Sequence, residues 1–266
     1  MTATTLRVES VAGLASRLRD GAAGAERTKP VTAERGKWRI LLPVRGTTDS
    51  KTRLLPEDTA GVHRRSLALA FARDAVAAVL DSAAVAEVTV ITADRNAATE
   101  FAAMGVRIIH ETGRDGLNAA IRKGLRHVED AHPASPRAVL LADLPALTTA
   151  DVSAALAFAA LSGTALVPDA DGTGTTMITA LPGHALDPAF GPGSLARHRA
   201  AGLCTLPLDQ QSTIRRDVDT WPDFEEAARL GVGPHTRQTL SEFGLLPGFR
   251  PWASLAAAAP DTSGCS

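Results

Sequence analysis

From Trp38 to Leu230 the chain alternates short apolar runs with longer segments in which apolar residues return every three to four positions. That alternation predicts an α/β fold, because short continuous apolar runs suit strands buried on both faces and the helical period suits helices laid against them. The first run, Trp38 to Val44, leads through Pro43 and Gly46 into a polar loop and reads as a buried strand followed by a functional turn. Val62, Leu69, Ala72, Val76, Val79 and Leu80 then fall on one helical face. Val88 to Ile91 reads as the second strand, Asp94 as the N-cap of a helix ending near Gly105, and Val106 to Ile109 as the third strand. Leu117, Ala120, Ile121, Gly124, Leu125 and Val128 form another helical stripe. Ala138 to Leu141, the most apolar strand candidate, runs at once into Asp143-Leu144-Pro145. Weaker signals place strands near Ala165 to Val167, Thr176 to Ala180 and Leu203 to Leu206, and helices near Leu195 to Ala201 and Trp221 to Leu230. No internal repeat interrupts the pattern.

Composition sets the limits of the folded part. The 266 residues are 45% hydrophobic, enough for one large domain or two small ones, which excludes disorder throughout. Residues 1–36 are rich in Ala, Arg, Gly and Thr and read as a poorly ordered extension with a short helix near Val11 to Arg19. Residues 244–266, rich in Ala, Pro, Gly and Ser, read as a tail, leaving 37–243 as the domain. Lys and Arg number 28 against 29 acidic residues, so a net charge of -1 provides no global field for nucleic acid or an anionic membrane. A bound nucleotide must be held locally. Cys204 and Cys265 have no metal-type or C-x-x-C spacing. No apolar run reaches the roughly 18 residues of a membrane span, and the N-terminus lacks the apolar centre of a secretory signal. A cytoplasmic protein is expected.

In open α/β sheets the ligand lies beyond the carboxyl ends of the strands, which marks four places. Arg45 to Arg53, with Arg45, Lys51 and Arg53, follows the first strand and suits a triphosphate, although a solvated basic loop has the same composition. It is neither a P-loop nor a dinucleotide fingerprint. Asp143 ends the most apolar strand, where a carboxylate must be hydrated, paired or bound to a metal, or else serve as a turn or cap. Asp217-Val218-Asp219 has period-two spacing, so an extended segment turns both carboxylates to one side, where they can share a hard cation. Phe190 to His198, with Gly191, Gly193 and Ser194 ahead of a helical pattern, suits an anion or, equally, an ordinary cap at Ser194. Asp171 to Thr176 is a turn or the polar lining of a cleft. Gly116-Leu117-Asn118 approaches a base or ribose, or lies on the surface. The seven histidines show no metal spacing and no Ser–His–Asp arrangement is legible. The residues by themselves thus lead to an α/β enzyme that uses Mg²⁺ and a phosphorylated ligand.

Leu42-Pro43-Val44-Arg45, Ser50-Lys51-Thr52-Arg53-Leu54, Gly116 to Ala120, Leu141-Ala142-Asp143-Leu144-Pro145, Gly172 to Thr176, Phe190 to Ser194 and Arg215 to Thr220 resemble, in order and spacing, the 2-phospho-L-lactate guanylyltransferases. That family includes the phosphoenolpyruvate guanylyltransferases of the deazaflavin cofactor F-420 pathway, and the resemblance spans roughly Trp38 to Leu230. It implies a single nucleotidyltransferase domain, similar to the nucleotide-sugar enzymes, with a mostly parallel mixed central sheet flanked by helices. The implied GTP site comprises Pro43, Arg45, Lys51, Arg53, Gly116 and Asn118, with Lys51 and Arg53 steadying the triphosphate. Asp143, Asp217 and Asp219 match positions that hold Mg²⁺, so that Lys51 and Asp143 carry the catalysis. Thr175, Gly191 and Ser194 match positions that hold the phosphorylated acid. Arg45 stands where lysine is expected, keeping the charge but not the shape, and Thr176 stands where many members carry asparagine.

The implied reaction is attack by a phosphate oxygen of the acid on the α-phosphorus of GTP, with pyrophosphate leaving and no covalent protein intermediate. Phosphoenolpyruvate is the expected acceptor, giving enolpyruvyl-diphospho-5′-guanosine; 2-phospho-L-lactate and 3-phosphoglycerate are the alternatives within that chemistry. A molybdopterin or sugar-phosphate nucleotidyltransferase is a second reading, and an inactive nucleotide-binding regulatory module a third. The resemblance adds the downstream transferase of the F-420 pathway as a candidate protein partner.

Overall fold

Residues 36–44, 54, 61–112 and 116–244 are described by a computed structural model, and a seven-stranded sheet organises them. The strands are β1 (Trp38–Pro43), β2 (Val85–Thr92), β3 (Arg107–His110), β4 (Arg137–Leu140), β5 (Thr164–Pro168), β6 (Thr175–Ala180) and β7 (Cys204–Thr205), in the spatial order β3-β2-β1-β4-β6-β5-β7. β1 pairs in parallel with β2 and β4, β2 with β3, and β5 with β7. β6 alone runs against its neighbours β4 and β5. The sheet is therefore mixed and mostly parallel, as expected. Reversing β6 has a local consequence: its first residues lie beside the last of β4, and Leu141 N donates to Thr176 O at 2.9 Å.

Helices cover the sheet: α1 (Gly61–Leu80), α2 (Arg95–Ala103), α3 (Leu117–Ala131), α4 (Thr149–Ala159), α5 (Ser194–Ala200), α6 (Trp221–Leu230) and α7 (Pro234–Glu242). All six residues of β1 are buried, and their side chains alternate between two cores. Ile40 and Leu42 pack with Val76, Val79, Phe101 and Leu156, whereas Leu41 packs with Ile91, Ile121, Leu125 and Val139. A third cluster joins Leu67 and Phe71 of α1 to Val218, Phe224 and Leu240. The buried Asp74 carboxylate fastens that cluster by accepting from His235 N and Thr236 N, both at 2.9 Å, at the start of α7.

Asp94 caps α2 as expected, its carboxylate accepting from Asn96 N at 2.8 Å and Ala97 N at 3.2 Å. Several sequence expectations are corrected. Leu80, assigned to the buried face of its helix, is 37% exposed. β2 starts at Val85 rather than Val88, and β7 is two residues long. The helices α4 and α7 were not anticipated. The buried side of α4 is Val152, Ala155, Leu156 and Ala159, set in an alanine-rich segment that blurs the period, and α7 buries only Thr236 and Leu240. Ser194 does not cap α5; that position is Gly193, with φ 69° and no side-chain cap bond. The expected helix near Val11 to Arg19 and the tail beyond 244 lie outside the described residues. Among the described residues no helix is long and apolar enough to cross a membrane.

Candidate active site

Beyond the carboxyl end of β4 lies a cleft of about 640 Å³, lined in part by Asp143, Thr175, Gly191, Ser194, Arg216, Asp217 and Asp219. Its acidic wall is made by two segments distant in sequence. Asp143 lies just past β4, and its backbone oxygen accepts from Val218 N at 3.0 Å. Val218 is fully buried in the third cluster, and Asp217 and Asp219 on either side of it both line the cleft. Both acids thus reach one cleft, although neither lies in a strand. Among the described residues no three His, Cys, Asp or Glu side chains gather closely enough to form a self-contained metal cluster.

Asp169 also reaches the cleft, but its carboxylate is committed to a turn. It accepts from Thr173 N at 2.9 Å and Gly174 N at 2.6 Å. A Cβ on Gly174 would clash with Asp169 Oδ2, so a side chain there would push that carboxylate away from the turn it holds. The buried Arg215 holds the same turn from behind, donating to Asp169 O at 3.0 Å and to Gln210 Oε1 at 2.8 Å. The turn delivers the chain into β6 with Thr175 at the cleft wall. Thr176, next along, is fully buried.

The opposite wall is the loop 189–193, where Gly191 and Gly193 adopt φ of 117° and 69°, conformations that side chains other than glycine rarely take. Side chains from two helices hold it. Arg197 donates to Ala189 O at 2.9 and 3.1 Å, to Pro192 O at 2.6 Å and to Gly191 O at 3.2 Å, so one guanidinium gathers the loop carbonyls on its own side. Asn118 of α3 clasps Phe190 twice: Nδ2 donates to Phe190 O at 3.0 Å, and Oδ1 accepts from Phe190 N at 2.9 Å. His198 bonds Ala189 N on one side and Thr175 Oγ1 on the other.

The structure thus brings Asp143, Thr175, Gly191, Ser194, Asp217 and Asp219 to one cleft. Pro43, Gly116 and Asn118 do not line it. Pro43 ends β1, the parallel neighbour of β4, and Gly116 precedes α3 with φ 77°. Asn118 is half-buried, and both ends of its amide engage Phe190, leaving one N–H and one lone pair for a further contact. Arg45, Lys51 and Arg53 lie outside the described residues. Sequence reasoning passed over Arg216, the only Lys or Arg among the described residues lining the cleft. Its place directly before Asp217 was the available signal. The clasps of Arg197 and His198 had no such signal, because their targets are backbone atoms and a hydroxyl brought near by folding.

A mostly parallel sheet covered by helices, with a polar cleft beyond the carboxyl end of β4, defines an open α/β protein, and the solved structures narrow the class. A structure described as a nucleotide-diphospho-sugar transferase from Desulfovibrio desulfuricans G20 matches with a TM-score of 0.52 at 17% identity, covering 76% of this chain and 97% of that one. That of 4-diphosphocytidyl-2C-methyl-D-erythritol synthase matches with a TM-score of 0.50 at 12% identity, covering 73% and 98%. The fold is that of the nucleotidyltransferases of nucleotide-sugar transferase type. The family model described as "Guanylyl transferase CofC like" matches residues 38–249, and the chain belongs to that family. Relatives include the phosphoenolpyruvate guanylyltransferase of Streptomyces scabiei (strain 87.22), 45% identical over 216 residues that cover 80% of this chain and 99% of the relative. That of Streptomyces coelicolor is 46% identical over 200 residues, covering 75% and 94%.

Proposed function

We propose that this protein transfers GMP from GTP to phosphoenolpyruvate, forming enolpyruvyl-diphospho-5′-guanosine and pyrophosphate, as a step of coenzyme F-420 biosynthesis in the cytoplasm. The observation that carries the reading is coverage: the segment that builds the cleft spans nearly the whole length of relatives named for this activity. In this reading the catalytic domain is 37–243.

In this reading the phosphorylated acid lies between Thr175 and the loop carrying Gly191 and Ser194, with Arg216 offering a cation to its carboxylate. GTP approaches from the carboxyl end of β1, its base and ribose near Gly116 and Asn118 and its triphosphate against Arg45, Lys51 and Arg53. A phosphate oxygen of the acid attacks the α-phosphorus in line. The new P–O bond forms as the bond to the β-phosphate breaks, and pyrophosphate carries away the electron pair. The protein's own part is to align two anions and to hold their charges within reach of cations.

Asp143, Asp217 and Asp219 fit magnesium by donor type, since all three supply hard carboxylate oxygens. Among the described residues they do not form a three-ligand cluster, so one or two of them would hold the ion and phosphate and water oxygens would supply its remaining ligands. When bound, the ion supplies charge neutralisation at the phosphates.

The test is direct. Purified protein is given Mg²⁺ and GTP with phosphoenolpyruvate, 2-phospho-L-lactate or 3-phosphoglycerate in turn, with ATP and CTP as nucleotide controls. Pyrophosphate release is expected to be fastest with GTP and phosphoenolpyruvate, mass spectrometry should find the guanosine diphosphate diester, and EDTA should stop its formation. A better rate with another acid would change the acceptor and keep the reaction class. No pyrophosphate with any acid, under conditions where GTP binds, would favour the regulatory-module reading.

A further inference from the structure

One buried side chain joins the two walls of the acceptor half of the cleft. His198 is 0% exposed and meets Phe190 edge-on, with ring centroids 5.2 Å apart. Its Nε2 lies 2.9 Å from Ala189 N. A backbone N–H can only donate, so Nε2 carries the lone pair and the ring proton belongs to Nδ1. Nδ1 lies 3.0 Å from Thr175 Oγ1, which makes the imidazole the donor and the hydroxyl the acceptor in that bond. A hydroxyl held this way keeps its own proton for another oxygen, and Thr175 lines the cleft.

We propose that His198 is a positioning residue for the phosphorylated acid: its fixed tautomer orients the Thr175 O–H as a donor into the cleft and pins Ala189 at the entry to the glycine loop. The inference rests on the reading that this cleft takes such an acid. Burial, helped by the neighbouring Arg197 charge and opposed by Asp187, lowers the imidazole pKa from 6.5 to about 4. The neutral tautomer therefore persists throughout the neutral range. Arg197 and Asn118 hold the same loop independently, so losing His198 leaves the loop anchored while freeing the Thr175 hydroxyl. That separation makes the role testable.

The experiment compares Thr175→Val, His198→Gln and His198→Asn. The asparagine amide can keep an N–H near the place of Nδ1, whereas the glutamine oxygen can keep an acceptor near Nε2. Thr175→Val and His198→Gln are each expected to raise the KM for phosphoenolpyruvate by about fivefold or more, the usual effect of losing one buried hydrogen bond. The KM for GTP should stay within about twofold, because the lost bond lies in the acceptor half. His198→Asn should recover most of the loss, and the double variant His198→Gln/Thr175→Val should be no worse than Thr175→Val alone, since both act through one hydroxyl. Nitrogen-15 shifts of the wild-type imidazole should report the Nδ1–H tautomer at pH 7, whether or not the protein turns over. An Nε2–H tautomer, an additive double variant, or equal changes in both KM values would overturn the proposal. The wild-type control separates this from the functional reading. Wild type inactive with every acid removes that reading and this inference with it, whereas active wild type with unchanged acceptor KM in the variants removes only this inference.

Discussion

The Val218 N–H to Asp143 O bond shows how single residues make this cleft. Val218 is drawn into the core and Asp143 follows the buried β4, so one backbone bond carries two acidic segments to the same wall without using a carboxylate oxygen. Replacing these acids by amides leaves that backbone bond in place. Asp143→Asn and Asp217→Asn are each expected to lower kcat/KM by roughly several kcal/mol of transition-state stabilisation, because the carboxylate charge is removed, with the thermal midpoint measured beside it as the control for folding. Steady-state kinetics and calorimetry check this, and near-normal turnover in both variants would make the carboxylates structural. At this scale the sequence was legible where a site is local. Asp143 follows an apolar run, and Asp217-Val218-Asp219 sets two acids on either side of an apolar residue. Asn118, Arg197 and His198 were illegible as loop-holding residues because their partners, Phe190, Ala189 and Thr175, are supplied by other segments of the chain.

At the scale of elements, continuous apolar runs placed β1 and β4, the helical period placed α3, and the Asp94 cap with Gly105 placed α2. Such a signal is silent on strand direction, so the reversal of β6, which sets Thr175 and Thr176 beside the end of β4, appears only in the sheet. α3 illustrates a further constraint. Its Gly124 faces the sheet so closely that a Cβ would lie 2.5 Å from Ile91 Cδ1 and 2.8 Å from Leu41 Cδ2. Helix propensity alone would favour any other common residue there. Packing opposes it: Ile91 is 1% exposed and Leu41 fully buried, so both have little room to yield. Gly124→Val is expected to cost about 1–3 kcal/mol in urea unfolding, the usual penalty of overpacking, and to shift α3 with Asn118 at its start. An unchanged unfolding free energy would mean that helix and sheet are less tightly apposed than this geometry requires.

Over the whole molecule, the alternation of strand and helix was enough to read an α/β class, and the ordered set of short motifs was enough to suggest the family, because both survive without knowledge of contacts. What the residues alone did not display is that Thr175, Gly191 and Ser194 come from separate segments to line one cleft with Asp143 and Asp217. The glycine loop, Thr175 and Ser194 line one side of the cleft, whereas the cationic stretch with Lys51 follows β1 in sequence and lies outside the described residues. The physical argument for two halves is electrostatic. The cleft is lined by many carboxylates and, among the described residues, by Arg216 as its only Lys or Arg, so a triphosphate needs positive charge from elsewhere. Lys51 is the first lysine in the sequence after the end of β1, and it offers a flexible ammonium. Lys51→Ala is accordingly expected to weaken GTP binding by roughly tenfold, the size of one charge-assisted phosphate contact, with the acceptor KM changed little. Ser194→Ala should do the reverse, raising the KM for phosphoenolpyruvate while calorimetric GTP binding stays near wild type. Ser194 is 1% exposed at the first turn of α5, and removing its hydroxyl deletes few packing atoms, so a folding defect should not mask the result. If the two variants exchange these phenotypes, the half-sites are assigned the wrong way round, and the triphosphate rather than the acid belongs against the glycine loop.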